Sequence, residues 1–78
     1  MTITGAQVTA ARELLGWSLI KLTLASGIDG GTIRRFETDK RLPHRSVGIV
    51  LRRTLKFAGV IFIAGKGNGP GVTLRKGK

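Results

Sequence analysis

Trp17 to Glu37 reads WSLIKLTLASGIDGGTIRRFE, and this stretch decides the fold. Ser18 is an N-cap candidate, because its hydroxyl can accept from an amide left free in the first turn of a helix. Trp17 before it and Leu22 four residues after it are spaced as a hydrophobic staple. Leu22 and Ala25 are then expected to face a core, and Gly27 supplies the left-handed stop. Asp29 is the next cap, with Ile28 and Ile33 as its staple, and its carboxylate suits the positive end of the helix it opens. That helix turns Ile33 and Phe36 inward and stops near Asp39. Two short helices joined by a tight glycine turn have the layout of a helix-turn-helix.

The same signals extend on both sides. Thr4-Gly5-Ala6-Gln7 fits a capping box, flanked by an Ile3/Val8 staple. The helix it opens carries Val8, Ala11, Leu14 and Leu15 as an apolar stripe and meets Gly16 at its left-handed stop. Beyond the central stretch, Lys40-Arg41-Leu42-Pro43 is a connector, since Pro43 cannot continue a helix. A further helix is expected from His44 to Ala58, with Val47, Leu51, Leu55 and Ala58 on one face with Thr54, and Gly59 as its stop. Successive cap-and-staple signals that agree carry more weight than any one of them.

The pattern changes after Gly59. Val60 to Ile63 is a β-branched and aromatic run, Ala64 to Gly71 a glycine-rich loop, and Val72 to Arg75 a second short strand. Gly65, Gly67 and Gly69 precede no helix, so neither nucleotide-binding loop motif fits. The expected architecture is mainly α: a four-helix body over residues 1–59, then a C-terminal β-hairpin and basic tail over 60–78. A lone hairpin is marginal in water. Val60, Ile61, Phe62, Ile63, Val72 and Leu74 are therefore expected to hold a homodimer by joining strand edges; the competing reading packs the hairpin on its own helices.

The chain has 78 residues, 14 Lys and Arg against 4 Asp and Glu, and a net charge of +10. One small domain is expected at that length. So unbalanced a charge repels itself and attracts polyanions, chiefly nucleic acid. There is no cysteine and a single histidine, His44, so neither disulfides nor a structural zinc site is expected, and no cofactor. Four acids and one histidine supply no acid/base or nucleophile set, which argues against an enzyme. No apolar run approaches the ~18 residues of a membrane span, and a basic, apolar signal start is missing. The expected location is the cytoplasm, on the bacterial nucleoid.

The run ARELLGWS…LTLASGIDGGTIRRFETDKRLP resembles the DNA-binding domain of the Cro/C1 (Xre-type) repressor family. The matching elements are Gly16-Trp17-Ser18, Leu22 to Ser26, Gly27-Ile28-Asp29, Gly30 to Phe36, Glu37, Lys40-Arg41 and Pro43, and the likeness spans about residues 7 to 58. The tail AGVIFI…GPGV-L-R is similar to that of short stand-alone regulators of this type. The resemblance implies a lambda-repressor-like fold and a dimeric regulator, commonly a repressor of phage, plasmid or mobile-element genes, or an antitoxin. Three positions depart from the family pattern. Leu19-Ile20 stand where a phosphate-contacting Gln often follows the Ser, Gly30-Gly31 stand where polar base readers open the recognition helix, and Asp39 replaces a loop glycine.

With the glycines unable to read bases, readout is expected from Thr32, Arg34 and Arg35, because Arg can bond guanine O6 and N7 in bidentate fashion. Ser18, Lys21, Gly30, Gly31, Lys40, Arg41, His44 and Arg45 are the expected contacts to the DNA backbone, which set register without reading sequence. Arg52, Arg53 and Lys56 lie off the core face of the fourth helix, and Arg75, Lys76 and Lys78 form a basic tail. Glu37 is expected to pair with a nearby arginine such as Arg12 or Arg35. Leu19 and Ile20 have two readings. Turned inward they widen the core, which is the preferred one; exposed, they mark a protein contact. The second keeps an alternative function open, a protein-interaction module such as an antitoxin or antiactivator. A nonspecific nucleoid or RNA binder would draw on charge alone.

Overall fold

Thr4 opens the first helix as a reciprocal cap: its hydroxyl accepts from the Gln7 amide at 3.1 Å, and the Gln7 side-chain oxygen accepts from the Thr4 amide at 2.9 Å. The computed structural model describes residues 3–38, 45–64 and 70–75. It consists of α1 (Gly5–Leu15), α2 (Leu19–Ser26), α3 (Gly30–Thr38), α4 (Arg45–Phe57), β1 (Val60–Ile63) and β2 (Gly71–Leu74). The architecture is thus mainly helical with a small antiparallel hairpin. Lys40, Arg41, Pro43 and His44 and residues 65–69 and 76–78 lie outside the described residues.

The remaining caps form as their spacing predicts. Ser18 Oγ accepts from the Lys21 amide at 3.0 Å, and Asp29 Oδ2 from the Thr32 amide at 2.8 Å. Gly16 and Gly27 close α1 and α2 with φ of 70° and 76°, the left-handed region where a side chain is strained. The core collects Ile3, Val8, Ala11, Leu22, Ile33, Phe36, Leu51, Leu55 and Val60, drawn from every helix and from β1.

Three expected core positions differ. The inward residues of α2 are Leu19, Leu22, Thr23 and Ser26, which turns Ala25 outward to an exposed position. In α1, Gln7, Val8, Ala11 and Leu15 face in, which leaves Leu14 at the margin. Leu19 and Ile20 separate: Leu19 packs against the core, and Ile20 is 71% exposed.

Two glycines stand at close approaches. A Cβ on Gly5 would fall on the carbonyl oxygen of Phe36 and 2.7 Å from that of Glu37, so the start of α1 lies against the end of α3 backbone to backbone. A Cβ on Gly48 would come within 3.2 Å of the Phe36 ring. Arg12 ties the same α1–α3 seam. Its Nε and Nη2 donate to the two carboxylate oxygens of Glu37 at 2.7 and 3.0 Å, and Nη1 donates to the Trp17 carbonyl at 3.1 Å. The Glu37 hydrogen bonds, partly offset by desolvation, raise the Arg12 pKa further and keep its guanidinium charged.

The hairpin pairs Val60 with Leu74, Ile61 with Thr73, Phe62 with Val72 and Ile63 with Gly71. Gln7 is buried and completes its hydrogen bonding there: Nε2 donates to the carbonyls of Ile63 at 3.2 Å and Gly71 at 2.9 Å. Val60 lies in the core, and Phe62 and Val72 pack against it. These three face the chain's own helices, which narrows the expectation that all six hairpin residues meet a second copy. Ile61 and Ile63 point outward at 45% and 46% exposure, and Leu74 is exposed at the end of the sheet. Among the described residues no helix is long and apolar enough to cross a membrane.

Candidate nucleic-acid interface

Residues 27–29 connect α2 to α3, a turn of the length found in helix-turn-helix units. The turn holds itself through two local bonds besides the Asp29 cap: the Gly27 amide donates to the Thr23 carbonyl at 2.9 Å, and the Ile28 amide to Ser26 Oγ at 3.1 Å. Ile28 packs on the core and Ile33 is buried in it. Leu19, Leu22, Ile28 and Ile33 thus lock the two helices together, and α3 presents its opposite side to solvent.

Which residues occupy that side follows from the buried ones. With Ile33 and Phe36 inward and Glu37 held by Arg12, a turn of about 100° per residue puts Gly31, Arg34, Arg35 and Thr38 outward. All four are exposed. Thr32 lies on the flank opposite Arg34 and is half-buried. Hydrogen bonds from its hydroxyl and then its amide, with the nearby Arg35 charge, hold the Asp29 carboxyl below the ordinary carboxylate range. Thr32 is therefore drawn toward the cap, while Arg34 and Arg35 share one open face.

The paired glycines differ from one another. Gly30 is half-buried against α2, with an added Cβ 3.5 Å from Thr23 Oγ1 and 3.7 Å from a Leu19 methyl. Its Cβ position faces the partner helix rather than outward. Gly31 is exposed at the head of the stripe, where the missing side chain leaves bare backbone.

Of the other expected contacts, Ser18 is exposed and holds the amide end of α2, and Arg45 is exposed at the start of α4. Lys21 is exposed, and its ammonium lies 5.4 Å from the centroid of the Trp17 ring, a cation–π distance. Lys40, Arg41 and His44 fall outside the described residues. Among the described residues, Arg12–Glu37 is the one ion pair, so Arg34 and Arg35 form no salt bridge there, although the Arg35 charge is felt at Asp29. Arg34, Arg35 and Gly31 thus come together; Thr32 stands apart on its flank.

Two features escaped the sequence reading. Thr38 completes the outward stripe, one turn beyond Arg34 and Arg35; spacing of i, i+3, i+4 and i+7 from Gly31 would have found it. Leu24 is 77% exposed and lies one turn beyond the exposed Ile20 on the outer face of α2. No protein-family model matches the chain, and no curated protein does.

Proposed function

We propose that this chain is a sequence-specific DNA-binding transcriptional regulator, a dimeric repressor that sets α3 in the major groove. The observation that carries this reading is the outward stripe of α3. Two arginines that form no salt bridge among the described residues stand on a short helix whose Ile33 and Phe36 are buried in the core. A bare glycine at the head of that stripe lets backbone approach a phosphate closely, and the flanking Ser18 and Arg45 suit phosphate contacts. The lambda-repressor-like fold family and the resemblance to Cro/C1 regulators are part of this proposal. So is the homodimer, for which Ile61 and Ile63 are the outward hairpin residues. Two copies would place their α3 helices roughly 34–36 Å apart on a near-palindromic operator.

Selection of bound sequences from a random DNA pool tests the reading, with a recurring half-site as the expected result. Arg35→Ala is then expected to relax base preference, at a cost of about 1–3 kcal/mol on the selected site. Arg45→Ala is expected to weaken all sequences alike and lower the salt slope by about one. Equal binding of selected and random DNA would overturn sequence specificity.

A second reading rests on the exposed Ile20 and Leu24 of α2. On that reading the fold serves as a protein-interaction module, an antitoxin or antiactivator. A chain that ignores DNA at moderate salt, yet loses a stable partner complex on Ile20→Ser, would favour it.

A further inference from the structure

Arg52 and Lys56 stand four residues apart on α4 and so share one face of the helix. Arg75 reaches the same place from the end of β2, its amide fixed to the Gly59 carbonyl at 2.7 Å. The three cations line a cleft of about 200 Å³, together with Val60, Ile61 and Phe62 of β1. No described acid lines it, and the single described ion pair lies elsewhere. Arg52 Nε is buried and has no hydrogen-bond partner among the described residues. A buried donor left unmatched beside two further positive charges is costly by both hydrogen-bonding and electrostatic criteria. An anion in the cleft offsets the electrostatic cost.

We propose that this cleft binds a small organic phosphate monoester, its phosphoryl group held by Arg52, Lys56 and Arg75 and its apolar body laid against Ile61 and Phe62. Two properties choose this class. A phosphate dianion offers three oxygens to three separately placed cations, whereas a monocarboxylate offers two oxygens and one charge. The apolar floor is wasted on inorganic phosphate and contributes only when the ligand carries a hydrocarbon or aromatic group. The walls come from α4 and β1, with Arg75, and none from α2 or α3, so the site is separate from the proposed DNA-reading stripe and independent of that reading.

Phenyl phosphate serves as the probe, titrated into the intact nitrogen-15-labelled chain and followed by NMR. Saturable shifts are expected at the Arg52 Nε–H and at the amides of Lys56, Val60, Phe62 and Arg75. Inorganic phosphate is expected to bind about tenfold more weakly, for want of the apolar contact. Arg52→Met and the exposed Arg75→Ala are each expected to weaken phenyl phosphate about tenfold or more with the amide spectrum otherwise intact. Non-saturating shifts, or equal shifts at Arg34 and Arg35, would overturn the proposal. A short DNA duplex forms the other arm. If it moves the Arg52 Nε–H and phenyl phosphate competes it away, the cleft holds a backbone phosphate instead and the small-molecule assignment fails.

Discussion

Arg12 and Arg52 are both half-buried on helices, and they live in opposite circumstances. At the α1–α3 seam Arg12 is matched by both oxygens of Glu37 and by the Trp17 carbonyl. At the seam between α4 and the hairpin, Arg52 keeps a buried Nε–H without a partner and has Lys56 and Arg75 for neighbours. The first guanidinium is part of the frame. The second is a demand the described chain does not meet. In so basic a protein, counting cations says little; whether each has its acid separates structural charge from charge held ready for a ligand.

The sharpest way to break the matched seam is Gly5→Ala. Its new Cβ would collide with the Phe36 and Glu37 carbonyls, which are backbone and cannot swing aside. An overpacking loss of about 3 kcal/mol or more is expected, read as a fall in urea midpoint with m unchanged. Glu37→Gln removes the charge while keeping the shape. A loss of about 2 kcal/mol follows from the charged hydrogen bonds given up, roughly 8–16 °C in Tm for a domain of this size. On the unmatched side the sign should reverse. Arg52→Met replaces an unsatisfied donor with an apolar chain and is expected to leave stability unchanged or raise it by about 1 kcal/mol. A loss as large as that of Glu37→Gln would erase the distinction between the seams.

The smallest effect is a pH dependence at the turn. The Asp29 carboxyl is depressed in the folded state, so its contribution is present above the ordinary carboxylate pKa and is lost as pH falls through the lower folded value. Asp29→Asn keeps an N-cap without a titrating group. Thermal melts from pH 7 to about pH 3 should show wild type losing more of its stability than the variant in the acid range. Parallel curves would remove Asp29 from that account.

The frame was readable because its signals are local. Cap and staple spacings at Thr4, Ser18 and Asp29 lie within a few residues of the helices they start, and each cap forms. The strand at Val60–Ile63 announced itself by composition in the same way. What could not be read depends on distant parts of the chain meeting. Gly5 looked like filler inside a capping box, yet the backbone of α3 rests on it. Gln7 looked finished once it capped Thr4, although its other end serves the hairpin. Ala25 and Leu14 are apolar and near the right phase, but short helices bury a narrow stripe, and neighbouring packing decides which side of it each residue falls on. The outward face of α3 was legible in part: Arg34 and Arg35 followed from the buried pair, while the half-buried place of Thr32 on the flank depends on its bond to the Asp29 cap. The cationic cleft had no sequence signature, since Arg75 reaches Arg52 only when the hairpin folds back.

Gln7 also bears on the order in which the molecule is made. Its side chain joins the start of α1 to carbonyls 56 and 64 residues later. Closing so long a loop comes late in folding, after the local helices have formed. As the chain leaves the ribosome, α1, α2 and α3 therefore appear early, with the side-chain amide of Gln7 in α1 still unanswered. The first helix completes its hydrogen bonding only when the second strand arrives, so a nascent chain halted before Gly71 would hold all four helices and lack one of the two carbonyls that Gln7 binds.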